Sequence, residues 1–245
     1  TRLDNALDAI AAAIGHEVPF APGFATVPSN PVGEGAHQAA VEVARGADVV
    51  LLFLGLGENH ESEGYDRETL DLPAEQLALL DDVLALGKQV VVVLSNGSSV
   101  VLPFADRVNA VVESWLGGQA GGPAVADVLF GAVNPSGKLT ETIPVRLADA
   151  PSFLNFPGDA AGVRYGEGLF VGYRGYDAGQ KEVAFPFGHG LSYTTFAYGD
   201  VAATASAAGI EVRLTVTNTG ERAGREVVHL GHLQPHRGQG RGRRE

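Results

Sequence analysis

The sequence predicts an α/β protein with a mostly parallel sheet, followed by a shorter all-β segment. In the first two thirds of the 245 residues, short apolar stretches such as DVVLLFLG and KQVVVVLS alternate with segments of helical spacing. Apolar stretches of this length, rich in β-branched residues, are typical of strands buried on both faces. Strand, helix and strand in this order indicate parallel βαβ units with right-handed crossovers and helices on both faces of the sheet.

Four helices and four strands are predicted, each from its own local pattern. In the helices apolar residues recur at three and four positions and glycine marks the end. The third helix also has Pro73 near its first turn, where proline is favoured. The predicted helices cover residues 3–15, 35–47, 72–87 and 122–131. The predicted strands cover residues 48–55, 88–95, 109–115 and 137–144.

The pattern changes after Pro144. Residues 146–195 are rich in Gly, Pro and aromatic residues and lack a strong period, which predicts a long surface extension containing a hairpin. From Phe196 apolar and polar residues alternate around a Thr219–Gly220 turn, which predicts β-strands. We therefore expect three parts: an α/β domain over residues 1–145, the extension, and truncated β-strands with a basic tail over residues 196–245.

Composition excludes several classes of function. The formal net charge is −12 although the last ten residues hold four Arg, so the rest of the chain is strongly acidic and is not expected to bind nucleic acid. The basic tail is expected to be a disordered end. No apolar run approaches the roughly 20 residues of a membrane span, and with no cysteine there is no disulfide or thiolate metal site. Because the chain opens with TRLDNAL, we expect a processed protein or a piece of a longer one.

One loop concentrates the charged residues. GLGENHESEGYDRETLDLP, residues 55–73, holds six carboxylates and Arg67 directly after a predicted strand. Ligands of parallel α/β sheets bind at the carboxyl ends of the strands, so this loop is a candidate site. A carboxyl crowded by others retains its proton to higher pH and can act as a general acid. A solvated acidic loop is the alternative, whereas a hard-cation site with His60 lacks the spacing of a calcium loop.

Several motifs, in consistent order, identify a family resemblance. ESEGYDRETLDLPAEQLALLDDV, VVVVLSNGSSVVLP, AVVESWLGGQAGGPAVADVLFGAVNPSGKLTETIP and FPFGHGLSYTTF resemble the C-terminal half of a family 3 glycoside hydrolase of the β-glucosidase type. The resemblance extends over about residues 3–228. It implies an (α/β)6 sandwich domain and the start of a fibronectin type III-like module. It also implies an N-terminal TIM barrel that supplies an aspartate nucleophile.

The resemblance assigns roles within the acidic loop. The acid/base glutamate of the family falls on Glu63 of SEGYDR, with Glu61 as the runner-up. Gly64 would give the backbone freedom to turn beside it. Asp66 and Arg67 are expected to support the loop as an ion pair. Tyr65 would line the entrance or pack against the loop.

Outside the loop the candidates are fewer. Trp115 ends a predicted strand, where its indole is expected to pack, with stacking on a sugar as the alternative. His189 belongs to a family motif that we interpret as architectural, and no histidine has the spacing of a metal ligand. We expect neither a metal nor a cofactor.

The predicted function is the acid/base-bearing half of a retaining β-glycosidase that hydrolyses terminal non-reducing β-linked glucosyl residues. It would require a TIM-barrel half, as a separate chain or as a missing N-terminal domain, to provide the nucleophile. A non-catalytic sugar-binding or scaffolding fragment is the alternative. Because two or three strands after Phe196 cannot bury their apolar faces, that segment is expected to pair with another chain, in a homo-oligomer for instance, or to be partly disordered.

Overall fold

A computed structural model describes residues 3–26, 29 and 31–229. Its helices are α1 (Ala6–Ile14), α2 (Ala36–Arg45), α3 (Ala74–Leu84), α4 (Gly121–Leu129) and α5 (Tyr173–Ala178), with a 3-10 helix at Leu147–Asp149. Its strands are β1 (Val49–Gly55), β2 (Gln89–Ser95), β3 (Ala110–Glu113), β4 (Ile143–Pro144), β5 (Val183–Phe185), β6 (Phe196–Ser206) and β7 (Gly209–Asn218). The predicted α/β class is confirmed.

Three parallel strands form the main sheet in the order β1-β2-β3. The central strand β2 is buried as predicted, with Val90, Val92 and Leu94 inaccessible to solvent. The prediction that β1 is also buried on both faces is wrong. Leu52 and Leu54 face the core, whereas Phe53 between them is 39% exposed. In the described part of the chain β1 pairs on one side only, so it forms an edge of the sheet.

The core lies between this sheet and two helices. Leu79, Leu80 and Val83 of α3 and Val41 of α2 pack with the buried side chains of β1 and β2 in one apolar cluster. Asn5 caps the N-terminus of helix α1, since its side chain accepts a hydrogen bond from the Asp8 N–H, and the helix packs against α4. All four helices predicted from apolar spacing are present.

The fourth strand predicted for the main sheet is wrong. Of residues 137–144 only β4 is extended in a ladder, and it pairs antiparallel with β5 outside the main sheet. Pro144 has no N–H to donate to a ladder. The backbone N–H of Leu139 instead donates to the His189 carbonyl at 2.8 Å, and the Thr142 carbonyl accepts from Ser99 Oγ at 3.2 Å.

The extension over residues 146–195 has more structure than its sequence pattern predicts. It contains the 3-10 helix, α5 and β5, while the hairpin expected within it is reduced to a single bridge between Asp159 and Gly162. Exposed apolar side chains are frequent, and Leu154 and Tyr165 are 91% and 83% exposed. The segment is held to the α/β part through β5 and through residues 187–190, which hydrogen-bond to Thr142, Leu139 and Lys138.

A long antiparallel hairpin, β6–β7, follows the extension. Its turn lies at residues 207–208. The chain bends again at residues 220–222, as predicted near Thr219–Gly220, but the described residues after this bend form no strand. Thr219 and Gly220 close the open end of the hairpin, where the Thr219 N–H donates to the Thr195 carbonyl at 2.8 Å. The fibronectin type III-like identity of this segment and the three domain boundaries stay predictions, and the basic tail lies outside the described residues.

Within the described ranges, no helix combines the length and the apolar character that crossing a membrane requires.

Candidate active site

The acidic loop, residues 56–72, leaves the sheet at the carboxyl end of β1. The register aligns Gly55 with Ser95 and Leu94 with Glu113, so the loops that follow all three strands begin at the same edge. We refer to residues 96–99 as the β2 loop and to residues 114–120 as the β3 loop. The three loops together form the candidate site.

A buried glutamine fixes the start of the acidic loop. Gln76 of α3 is 3% exposed, and its amide both accepts from the Gly55 N–H at 2.9 Å and donates to the Gly55 carbonyl at 2.8 Å. These two hydrogen bonds satisfy the backbone of Gly55 where the β1 ladder ends. The first residue of the loop therefore has a fixed position relative to the core.

The tip of the acidic loop folds back on itself. The N–H groups of His60 and Glu61 both donate to the Gly57 carbonyl, and Ser62 and Tyr65 form an isolated antiparallel bridge. The Tyr65 hydroxyl donates to the Glu58 carbonyl at 2.6 Å. The tip of the loop is therefore a compact turn that includes residues 61–66.

Glu61 and Arg67 attach this turn to the β2 loop. The Glu61 carboxylate accepts from the Gly97 N–H at 2.7 Å and lies 3.9 Å from the Arg67 guanidinium. Arg67 Nη1 donates to Ser98 Oγ at 2.8 Å. Burial lowers the pKa of Arg67, and the carboxylates of Glu61 and Glu141 act in the opposite direction. The ion pair expected between Asp66 and Arg67 is replaced by the one with Glu61.

Glu63 is placed differently from Glu61. Its side chain is exposed, and in the described part of the chain it makes no hydrogen bond or ion pair. Asp66 is exposed as well. The backbone freedom expected of Gly64 is not used, because its φ is outside the left-handed region and a Cβ would have space there.

Three buried side-chain atoms without partners lie along this edge of the sheet. They are His60 Nδ1, Arg67 Nη2 and Asn96 Oδ1, and the described residues contain no other buried side-chain nitrogen or oxygen without a hydrogen bond. Leaving a buried polar group unpaired costs about 1–3 kcal/mol, and native proteins retain few. All three lie on adjoining loops of the candidate site, where a water or a ligand could satisfy them.

Glu113 lies beneath the β3 loop and was not predicted as a site residue. Its carboxyl accepts from the Trp115 N–H at 2.9 Å and from the Asn96 amide at 3.3 Å. Burial raises the pKa of Glu113 to about 7; the hydrogen bonds from Trp115 and Asn96 oppose this rise and the Glu141 charge adds to it. The signal in the sequence was a single carboxylate inside the apolar strand segment NAVVESW.

The backbone of Trp115 is strained where Glu113 holds it. Its φ is 52°, in the left-handed region that a bulky side chain rarely adopts. Strain of this kind costs about 1–3 kcal/mol and clusters at functional sites. The Trp115 carbonyl also accepts from Ser95 Oγ at 3.2 Å. The indole is half-buried at the edge of the sheet, so both the stacking and the packing interpretations remain open.

Glu141 is a second carboxylate that sequence reasoning missed. One of its oxygens accepts from the Ser99 N–H at 2.9 Å, so it supports the β2 loop in addition to Glu61. His189 lies away from these loops, against Phe185 with ring centroids 4.9 Å apart. Among the described residues, no three His, Cys, Asp or Glu side chains are arranged to hold a metal ion.

Comparison with known proteins places this site in a family context. The sequence matches the family model "Glycosyl hydrolase family 3 C-terminal domain" over residues 1–193. It is 51% identical over 232 residues to the exo-α-(1→6)-L-arabinopyranosidase of Bifidobacterium longum, covering 94% of this chain and 30% of that protein. It is 46% identical over 236 residues to the thermostable β-glucosidase B of Acetivibrio thermocellus, covering 94% and 31%.

Solved structures give the same assignment. The family 3 β-glucosidase of Bifidobacterium adolescentis superposes with a TM-score of 0.83 at 54% identity, over 90% of this chain and 33% of that one. A β-glucosidase of Kluyveromyces marxianus in complex with glucose superposes with a TM-score of 0.72 at 43% identity, over 78% and 23%. The chain thus spans about 30% of the length of the curated relatives quoted above.

Proposed function

Because the chain belongs to the glycosyl hydrolase family 3 C-terminal domain family, we propose that it is the acid/base-bearing part of a retaining β-glycosidase. The substrates are terminal non-reducing β-linked glucosyl residues, as in the β-glucosidases to which the chain is similar. Glu63 is the acid/base. The aspartate nucleophile comes from a TIM-barrel part, as the resemblance of the sequence implies.

The observation that carries this proposal is the contrast between Glu61 and Glu63. Glu61 is bound to the Gly97 N–H and lies beside Arg67, so its carboxylate is engaged in holding the loop. Glu63, two residues away, has no partner in the described part of the chain and is exposed to a ligand. A group that must exchange a proton with a substrate needs this freedom, whereas a group that fixes a loop does not.

The chemistry assigned to Glu63 has two steps. As a carboxylic acid it gives its proton to the departing glycosidic oxygen while the barrel aspartate attacks the anomeric carbon. As a carboxylate it then takes a proton from the water that releases the glycosyl-enzyme. In retaining enzymes the two carboxyl groups are about 5–5.5 Å apart, so the barrel part must cover the exposed face of the acidic loop. The acidic loop keeps its position on the sheet during both steps through the contacts of Arg67 with Ser98 and of Glu61 with Gly97.

A hybrid enzyme tests the proposal. This chain replaces the matching segment of the Bifidobacterium adolescentis β-glucosidase, and Glu63→Gln is compared with Glu61→Gln. For glucosides with poor leaving groups, Glu63→Gln is expected to lower kcat/KM by about 10²–10⁴-fold. Aryl glucosides with activated leaving groups are expected to lose less, and azide, which needs no general base, restores turnover. Near-unchanged kcat/KM in Glu63→Gln together with an inactive Glu61→Gln would refute the assignment.

A second glycoside is favoured by one specific observation, the 51% identity to an exo-α-(1→6)-L-arabinopyranosidase. The hybrid is therefore assayed with both an aryl β-D-glucopyranoside and an aryl α-L-arabinopyranoside. Loss of both activities in Glu63→Gln supports a common acid/base. A hybrid that folds and binds sugar but hydrolyses neither substrate supports the non-catalytic alternative.

A further inference from the structure

A cavity of about 320 Å³ lies between the β2 loop and the extension over residues 146–195. Ser98, Ser99 and Glu141 line one side, and Tyr173, Tyr176 and Phe187 line the other. Its volume is at the lower end of the roughly 300–1,000 Å³ of small-molecule sites. Ser98 connects it to the candidate active site, because the Ser98 hydroxyl also accepts the hydrogen bond from Arg67.

Two aromatic rings and two carboxylates set the chemistry of the cavity. Tyr173 and Phe187 stack with ring centroids 4.8 Å apart, and both contribute to the wall. Glu141 binds the Ser99 N–H through one oxygen, and Glu167 accepts from the Asn155 amide through one oxygen, so each retains a second carboxylate oxygen. Among the described residues that line the cavity there is no Lys, Arg or His. The cavity therefore disfavours anions.

Tyr176 provides a hydrogen-bond donor in the wall of the cavity. The residue is 7% exposed and lines the cavity. Its hydroxyl makes no hydrogen bond among the described residues and keeps some exposure to solvent. Burial raises the pKa of this hydroxyl, with further contributions from the charges of Asp149 and Glu141. The hydroxyl is therefore a protonated donor next to a carboxylate wall. A donor that is accessible and unpaired in a cavity wall is available to a polar ligand.

We propose that this cavity binds one neutral pyranose unit. The apolar face of the ring packs on Tyr173 and Phe187, as sugars pack on aromatic side chains. The sugar hydroxyls donate to Glu141 and Glu167, and one of them accepts from Tyr176. A metal ion does not fit this set, since no metal-binding group of three side chains is found in the described residues. This inference goes beyond the proposed function and does not require Glu63 to be the acid/base.

Binding to the isolated 245-residue chain tests the inference. Methyl β-D-glucopyranoside is titrated and followed by protein chemical shifts, with saturation expected near a Kd of about 1 mM. Tyr176→Phe keeps the ring and removes the donor, so it is expected to weaken binding about 3–10-fold. The matched control is Tyr165→Phe, which removes a hydroxyl from the same extension at an exposed position outside the cavity. Glucuronate is expected to bind more weakly than the neutral glycoside because of the two carboxylates.

A second variant keeps the inference testable if Tyr176→Phe unfolds the chain. Val171 is 50% exposed and lines the cavity, so Val171→Trp is expected to block it while the far-UV circular dichroism is preserved. Absence of saturable binding by the folded chain would overturn the inference. Equal affinity in both Tyr176→Phe and Val171→Trp, or equal binding of glucuronate, would overturn it too. Either result leaves the Glu63 experiment intact, because that experiment measures turnover.

Discussion

The carboxylate of Glu61 accepts a hydrogen bond of 2.7 Å from the N–H of Gly97, 36 residues further along the chain. A Cβ on residue 97 would lie 2.7 Å from Glu61 Oε1 and 3.2 Å from Leu116 Cδ1. The contact therefore forms because residue 97 is glycine. It joins the loops after β1 and β2, and it places Glu63 two residues from a fixed point.

Gly97→Ala is expected to expel the Glu61 carboxylate and to destabilise the chain by about 1–3 kcal/mol, because the added methyl overlaps the carboxylate. Urea unfolding of the full chain measures the change. Gly118→Ala is the control, since a Cβ at Gly118 would have no atom within 4 Å. Equal unfolding free energies for the two variants would mean that the close approach is not needed.

Gln76→Leu is expected to lower the free energy of unfolding by about 2–3 kcal/mol, since it leaves the N–H and the carbonyl of Gly55 unpaired at a buried position. Thermal or urea unfolding checks the value. Gln38→Leu, at an exposed position of α2 where the amide bonds only Glu42, serves as the matched control and is expected to change little. A Gln76→Leu variant as stable as the control would show that Gly55 needs no side-chain partner.

The buried carboxyl of Glu113 makes stability depend on pH. Its pKa is raised from 4.5 to about 7 in the folded chain, so the folded state keeps a proton that the unfolded state loses across this window. Stability from this group is therefore lost as pH rises from about 4.5 to about 7. From about pH 5 to about pH 8, the unfolding free energy of the unchanged chain is therefore expected to fall by about 2–3 kcal/mol relative to that of Glu113→Gln.

Unfolding of Glu182→Gln over the same pH range is the control for Glu113, because Glu182 is exposed on the extension. Its pH profile is expected to follow that of the unchanged chain. Parallel profiles for Glu113→Gln and the unchanged chain would contradict the shifted pKa.

Lys138 joins the α/β part to the segment after β7. Its ammonium donates to the Gly190 carbonyl at 2.7 Å and lies 3.3 Å from the Glu226 carboxylate, with both side chains largely buried. Lys138→Met is expected to lower the free energy of unfolding by about 1–3 kcal/mol and to speed hydrogen exchange over residues 221–229. Arg45→Met breaks the exposed pair with Glu42 and is expected to cost less than about 1 kcal/mol. Unchanged exchange in Lys138→Met would show that this pair does not hold the segment.

The elements predicted well from the sequence are those whose local pattern agrees with their tertiary environment. Strand β2 and helix α3 have uninterrupted patterns, and both are buried as these patterns indicate. Exposure of Phe53 in β1 could not be predicted, because a central and an edge strand have the same apolar composition. Pairing of β4 with β5 depends on a contact across about 40 residues, which no local pattern encodes.

For the candidate site too, some features could be predicted from the sequence and others could not. The acidic loop and its position after β1 could be predicted from charge density and sheet topology. The contact of Glu61 with Gly97 and that of Glu113 with Trp115 depend on how three loops meet in space, and no periodicity reports this. The one indication of Glu113 in the sequence was a carboxylate inside an apolar strand segment, and in the structure this carboxyl is buried enough to raise its pKa.

The hairpin β6–β7 leaves the body of the protein and returns to it at almost one point, since Thr195 and Thr219 hydrogen-bond through both their backbones and their hydroxyls. Tyr198 also hydrogen-bonds Glu226, whereas the hydrogen bonds of residues 199–217 stay within the hairpin among the described residues, so residues 199–217 are the replaceable part. Exchange for a short turn, or for a foreign domain whose termini lie close together, would not alter the path of the chain on either side. We expect the hydrogen bonds between Thr195 and Thr219 to keep the two chain ends together when another polypeptide is inserted in place of the hairpin.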